Sequence, residues 1–110
     1  MTVWQQIAAF LPARWGRALL SQPDAVQRQA QDVRLRVGAP LSLSLPTEQV
    51  LPRDADGALL MCDAAVLGEV VSRLCEHSLY AHEGQLREGF IAAAGGNSLL
   101  IFWFTVHMVP

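Results

Sequence analysis

The sequence predicts an α+β domain: N-terminal helices, a small mixed or antiparallel sheet with a central hairpin, and two helices packed on one face. Three observations carry this. Apolar residues recur at helical spacing at Trp4, Ile7, Ala8 and Leu11, and again at Leu67, Val70, Val71, Leu74 and Cys75. Between these segments, Val33, Leu35 and Val37, then Leu41, Leu43 and Leu45, alternate with polar residues, which is the two-residue period of half-buried strands. Gly38-Ala39-Pro40 separates the two runs, so they read as a hairpin.

Taken in order, the chain opens with a helix from Thr2 to Leu11. Thr2 followed by Gln5 fits a capping box. Pro12 disfavours helical geometry at Leu11 and can start a second helix, Ala13 to Leu20. That helix carries Trp15 and Leu19 inside and Arg14 and Arg17 outside, and Gly16 weakens it. After Ser21-Gln22-Pro23, Asp24 caps a short helix through Ala30. The hairpin of Asp32 to Leu45 follows, its outer face carrying Arg34, Arg36, Ser42 and Ser44. Pro46 and Pro52 bracket a weak strand at Gln49 to Leu51. Asp54-Ala55-Asp56-Gly57 is a turn, and Ala58 to Cys62 a strand returning to the sheet.

Asp63 is a suitable N-cap for the next helix, which ends at Glu76-His77. Ser78 caps another, Leu79 to Glu88, with Glu83 and Arg87 as an i, i+4 pair and Gly89 as its left-handed C-cap. Phe90 to Ala94 reads as a short apolar strand and Gly95-Gly96 as a turn. Leu99 to Val109 is dense in Leu, Ile, Phe and Trp. Left on the surface it would expose a large apolar patch, so it either pairs into the sheet as a buried strand or is foreign to the fold.

The 110 residues fit one domain; 52% are apolar and only 16% charged, which argues against disorder. A net charge of -2 offers no bulk attraction to nucleic acid or to an acidic membrane. All eight basic residues are arginine. Without lysine, neither a Gly-rich Lys-Ser/Thr phosphate loop nor a lysine Schiff base can be built. Cys62 and Cys75 form no disulfide framework and no metal motif, and read as buried thiols in a reducing compartment. No signal peptide is apparent, and the apolar end is shorter than the roughly 20 residues a bilayer requires. A soluble, intracellular protein with no direct membrane span is the expectation.

Candidate chemistry is sparse. His77 and His82 stand five apart beside Glu76 and Glu83, whereas helical metal ligands need a spacing of four, and a break at Ser78 worsens the fit. A capping or half-buried histidine pair accounts for them. Ser78, His82 and Asp63 supply the residue types of a nucleophilic triad, but no strained elbow surrounds Ser78, and an N-cap role explains it. The spacing of Gly84, Gly89, Gly95 and Gly96 fits no dinucleotide fingerprint. Trp4, Trp15 and Tyr80 read as packing residues. A small metal-assisted or nucleophilic hydrolase is thus the alternative reading, with no catalytic or metal residue assigned. Arg34 and Arg36 share one strand face with Asp32 in line. They read either as a solvated face with an internal Asp-Arg pair or as a partner-docking face, since planar guanidinium groups suit interfaces.

Asp32-Val33-Arg34-Leu35-Arg36-Val37-Gly38-Ala39-Pro40-Leu41 resembles the E-I-R-L-R-x-G-x-P-L strand–turn–strand of the stage III sporulation protein AA family. Ser78-Leu79-Tyr80-Ala81, then Leu86-Arg87-Glu88-Gly89-Phe90-Ile91, then Gly95-Gly96, are similar to that family's S-[VL]-Y-A … [LI]-R-x-G-[FY]-[IL]-T … G-G block. Phe10-Leu11-Pro12 is similar to its early L-P. The resemblance covers Ile7 to Gly96 in matching order. Asp32 stands for the family's Glu and Ala92 for its usual Thr, and the motifs end before Asn97-Ser98-Leu99.

The resemblance implies that residues 1–96 are the N-terminal, non-catalytic assembly domain of a secretion-type sporulation ATPase that energises the channel between mother cell and forespore. It implies own-family subunits and a membrane protein of that channel as partners, met through Arg34, Arg36 and Arg87, and no nucleic acid. It implies a cytoplasmic location on the mother-cell side, peripheral to the forespore membrane. ATP and Mg would belong only to the motor domain, so a chain ending here would be truncated, with no cofactor of its own. Residues 97–110 are expected to be a non-matching apolar tail, divergent or frameshifted, and a decayed fragment is a further alternative.

Overall fold

A computed structural model of the chain describes residues 2–79, 88–95 and 97–105. The first helix, α1 (Val3–Phe10), is closed by the predicted capping box: Thr2 Oγ1 accepts from the Gln5 N–H at 3.1 Å and Gln5 Oε1 accepts from the Thr2 N–H at 2.9 Å. Pro12 takes the N-cap position of α2 (Ala13–Leu20) rather than its first turn. Pro23 likewise precedes α3 (Asp24–Gln29), so Asp24 is the first helical residue and not the cap. The predicted inner faces are buried: Trp4, Ile7, Ala8 and Leu11 of the first helix face Trp15, Ala18 and Leu19 of the second. The Trp4 indole N–H donates to the Leu19 carbonyl at 3.0 Å inside that contact. Gly16 is buried where the helices meet, and a Cβ there would stand 2.6 Å from the Ala8 carbonyl oxygen. Its lost helix propensity is the cost of close backbone approach.

Three short strands follow: β1 (Asp32–Arg36), β2 (Ser42–Ser44) and β3 (Gln49–Val50). They pair antiparallel, with Val33 opposite Leu43 and Leu43 opposite Val50. The predicted hairpin is present but opens wider than a three-residue turn. Gly38 has φ +85°, and Leu41 donates its N–H to the Leu60 carbonyl at 2.8 Å instead of to β1. Ala58 to Cys62 therefore lies beside Ala39 to Leu41, but as isolated bridges, Pro40 to Met61 and Arg53 to Leu59, and not as the strand expected. Proline supplies no N–H for a continuous ladder at position 40. The Asp54 turn forms as predicted, its Oδ1 accepting from the Asp56 and Ala58 N–H groups, both at 2.9 Å.

Helix α4 (Ala64–Leu79) is capped by Asp63, whose Oδ1 accepts from the Val66 N–H at 2.8 Å. The expected break at Ser78 does not occur, because α4 runs through it to Leu79. A serine can cap a helix but does not stop one, and no proline or glycine stands at this point. The second helix expected from Leu79, with Tyr80 and the Glu83–Arg87 pair, falls on residues 80–87, outside the described residues. Glu88 and Gly89 are not helix end and cap: they belong to β4 (Glu88–Gly95), where Gly89 pairs with Phe104 of β5 (Ser98–Thr105). Strand pairing, not a left-handed turn, is what this glycine serves.

Through Thr105 the apolar run takes the first of its two alternatives, and residues 106–109 of it lie outside the described residues. The sheet order is β3-β2-β1-β5-β4, which puts β5 between β1 and β4, antiparallel to both. Val33 faces Ile101 and Leu35 faces Leu99, and all four are buried. Together with Leu43 they form the inner side of the sheet, packed in one core with the buried faces of α1, α2 and α4. Burying each such side chain contributes about 1.5–3 kcal/mol. The architecture is α+β, with its helices on one face of an antiparallel sheet.

Candidate functional site

Because β1 alternates strictly, burying Val33 and Leu35 turns Arg34 and Arg36 to the opposite face, where both are exposed. This strand lies between β2 and β5, so its backbone is held on both sides and the two arginines project from a fixed base. Arg34 Nε donates to Asp32 Oδ1 at 3.1 Å, as the internal-pair reading expected. The Asp32 side chain is only 13% exposed and that of Arg34 is 55% exposed, so carboxylate access is limited while most of the guanidinium stays open to solvent. Such an exposed pair contributes about 0–1 kcal/mol. Among the described residues Arg36 has no ion-pair partner.

These arginines line an open groove of about 860 Å³ on the side of the sheet opposite Val33 and Leu35. Ser42 and Gln49 border it on the β2–β3 side, and Ser98 and Leu100 on the β5 side. Leu51, 39% exposed, gives it an apolar end. Ser42 has the predicted outward register, opposite Arg34, but is buried, so it forms part of the groove without being a freely exposed hydroxyl. Ser44 is half-buried. Arg87, the third arginine expected to meet a partner, lies outside the described residues.

A second cleft carries charges of both signs. It is about 360 Å³ and is lined by Arg14, Arg17, Arg53, Asp54 and Asp56. Arg53 Nη1 donates to the Gly57 carbonyl at 2.8 Å, and Arg14 stands 3.9 Å from Asp54. The Asp54 carboxyl titrates below the ordinary carboxylate range, first because of the Ala58 N–H it accepts and also through the Asp56 N–H and the nearby Arg14 charge. The Cys62 thiol is pushed up by burial and by the Asp63 charge, which favours its protonated form.

Asp63 and Ser78, two of the residues considered for hydrolysis, are not brought together. Asp63 caps the start of α4 and Ser78 sits in its last turn, fifteen residues on, which is about 22 Å along a helix axis. Continuous helix in place of a break also keeps Glu76 and His77 on α4; His82 lies outside the described residues. Among the described residues, no three His, Cys, Asp or Glu side chains cluster as a metal site would require. No described helix is long and apolar enough to cross a membrane.

Sequence reasoning found the two arginines and Ser42 and missed the β5 side of their groove. Asn97, Ser98 and Leu100 reach it only because β5 pairs with β1 across more than 60 residues of chain, and no local pattern encodes that pairing. The alternation Ser98, Leu99, Leu100, Ile101 is too apolar on both sides to reveal which face would be covered.

Comparison with known families gives one match, to the family described as Sporulation stage III, protein AA, over residues 1–102. The match continues six residues past Gly96, where the recognisable motifs end, and so takes in the first five residues of β5. No curated protein and no solved structure matches the chain.

Proposed function

The chain belongs to the stage III sporulation protein AA family, and from that premise we propose that it acts as a non-catalytic assembly and docking domain of a sporulation ATPase. In this reading the family's ATP and Mg chemistry belongs to a motor domain separate from residues 1–105. The domain described here positions that motor, contacts neighbouring subunits and docks a membrane protein of the mother cell–forespore channel from the mother-cell side. It has no cofactor and no catalytic residue of its own, and it does not bind nucleic acid. Arg34 and Arg36 are the docking charges, and Arg87 is assigned to the same role from the sequence.

The observation that carries the reading is the arginine-bearing face of β1. Among the described residues, the helices pack against the side of the sheet that carries Val33 and Leu35, and the other side presents two exposed arginines on a central strand over an open groove. Arginine is the cation enriched at protein interfaces, because its planar fork binds carboxylates in two-point geometry. The test is recruitment in an endospore-forming host. A fluorescently tagged chain is expected to concentrate at the forespore membrane during engulfment, and the Arg34→Ala/Arg36→Ala double variant, checked for an unchanged melting temperature, is expected to stay diffuse. A folded double variant recruited as well as the parent would overturn the assignment of this face.

A further inference from the structure

We infer that the groove takes an acidic segment of a partner protein whose carboxylates stand at alternate positions, one on Arg36 and one on the open side of Arg34. This deepens the docking reading and rests on it. Arg34 and Arg36 are two residues apart on one face of β1, which places their Cα atoms about 6.6 Å apart along the strand. An extended chain with acidic residues at every second position repeats the same spacing, so two carboxylates meet two guanidinium groups without distortion of either backbone. Leu51 and the half-buried Leu100 offer apolar contact beside the charges.

Charge decides between classes of partner. Two exposed arginines on a chain of net charge -2 are too few to hold an anionic bilayer, which takes a cluster of about four to eight basic residues. The same shortage argues against a nucleic-acid backbone. A local pair of carboxylates asks for no more than two cations.

Asp32 gives the site a built-in competitor. Its carboxylate already accepts from Arg34 Nε, leaving the other guanidinium nitrogens for a ligand while lowering the local positive potential. Removing that negative charge therefore strengthens acidic binding, whereas a purely structural or apolar groove would not respond in that direction.

The experiment titrates the isotopically labelled chain, at low salt, with a capped six-residue peptide alternating Glu with Thr and Val, and follows the backbone amide signals of Arg34, Arg36 and Ser42 by NMR. Asp32→Asn is expected to tighten binding about two- to five-fold, the range expected for an exposed pair. Arg36→Ala, a change at a solvent-facing side chain, is expected to weaken it at least about three-fold, and the same peptide with Gln for Glu is expected to move no signals. Equal binding of the Gln peptide, or unchanged affinity in both variants, would overturn the inference. So would a response of the same amides to phosphatidylserine vesicles and not to the peptide. If these results are negative while recruitment to the forespore membrane still depends on Arg34 and Arg36, only the acidic partner chemistry is lost. If recruitment is also independent of them, the docking reading fails with it.

Discussion

Substituting Gly16 by alanine tests how closely the first two helices pack. The Cβ added at Gly16 would lie 2.6 Å from the Ala8 carbonyl oxygen and 3.4 Å from its carbonyl carbon. Real Cβ contacts essentially never fall under 3.0 Å, so α1 and α2 must separate by at least 0.4 Å at this point (3.0 less 2.6). Both atoms are backbone, so no rotamer change relieves the contact, and moving the helices also strains the Trp4 to Leu19 hydrogen bond. Overpacking of this kind costs about 1–3 kcal/mol, partly offset by about 0.5–1 kcal/mol of gained helix propensity. The net expectation is a loss of about 1–2 kcal/mol, read as a fall of about 0.5–1 M in the urea midpoint. Gly68 supplies the control: it is exposed on α4, and a Cβ there meets nothing within 4 Å. Gly68→Ala keeps only the propensity gain and is expected to raise stability by about 0.5–1 kcal/mol. A Gly16→Ala midpoint equal to or above the parent's would refute the close-packing argument.

Three further outcomes follow from the same structure. Trp4→Phe removes the buried indole donor to the Leu19 carbonyl and is expected to cost about 1–2 kcal/mol in urea unfolding, with little change in m. Arg73 reaches from α4 to the end of α1, where Nη1 donates to the Leu11 carbonyl at 3.1 Å and to that of Phe10 at 3.4 Å, while Nη2 pairs with Glu69. Arg73→Ala is expected to lower stability by about 1 kcal/mol, with Arg73→Lys between it and the parent in a thermal melt, because a single ammonium nitrogen cannot occupy both positions held by Nη1 and Nη2. Asp54 titrates lower in the folded chain than in the unfolded one, so its stabilisation is complete above the ordinary carboxylate range and disappears as the pH falls through its folded value. Urea midpoints measured from pH 7 down to pH 3 should fall more steeply for the parent than for Asp54→Asn; identical slopes would remove Asp54 from the account.

The parts of the fold legible in the sequence are those whose physics is local. Thr2 and Gln5 cap a helix over three residues, Asp63 caps another, and the alternation in Val33 to Arg36 sorts two side chains inward and two outward. What was not legible depends on partners far along the chain. Ser78 has the chemistry of a cap, yet the helix continues because nothing there breaks it. Gly89 has the composition of a helix stop, yet it pairs in a strand. Gly16 reads locally as a weak point, and only the position of Ala8 shows why a side chain is not tolerated there. At the candidate site the arginines were visible through their own alternation, whereas Leu100 and Ser98 were not, because their position follows from a strand pairing formed between opposite ends of the chain.

That same pairing is what would make the arginine face useful in the proposed docking role. If the apolar end were a loose tail, β1 would be an edge strand, open on one side, and Arg34 and Arg36 would sit on backbone free to fray. With β5 inserted, Val37 also donates its N–H to the Asn97 carbonyl at 2.8 Å, so the strand is held beyond its last arginine. Guanidinium groups presented from a central strand lose less freedom on meeting a partner than the same groups on a loop, and pre-organisation of this kind lowers the cost of association. The proposed docking through Arg34 and Arg36 would thus depend on residues 98–102, although none of their side chains carries a charge. Shortening the chain to end at Gly96 would therefore be expected to abolish recruitment by unseating β1, with both arginines still in the sequence.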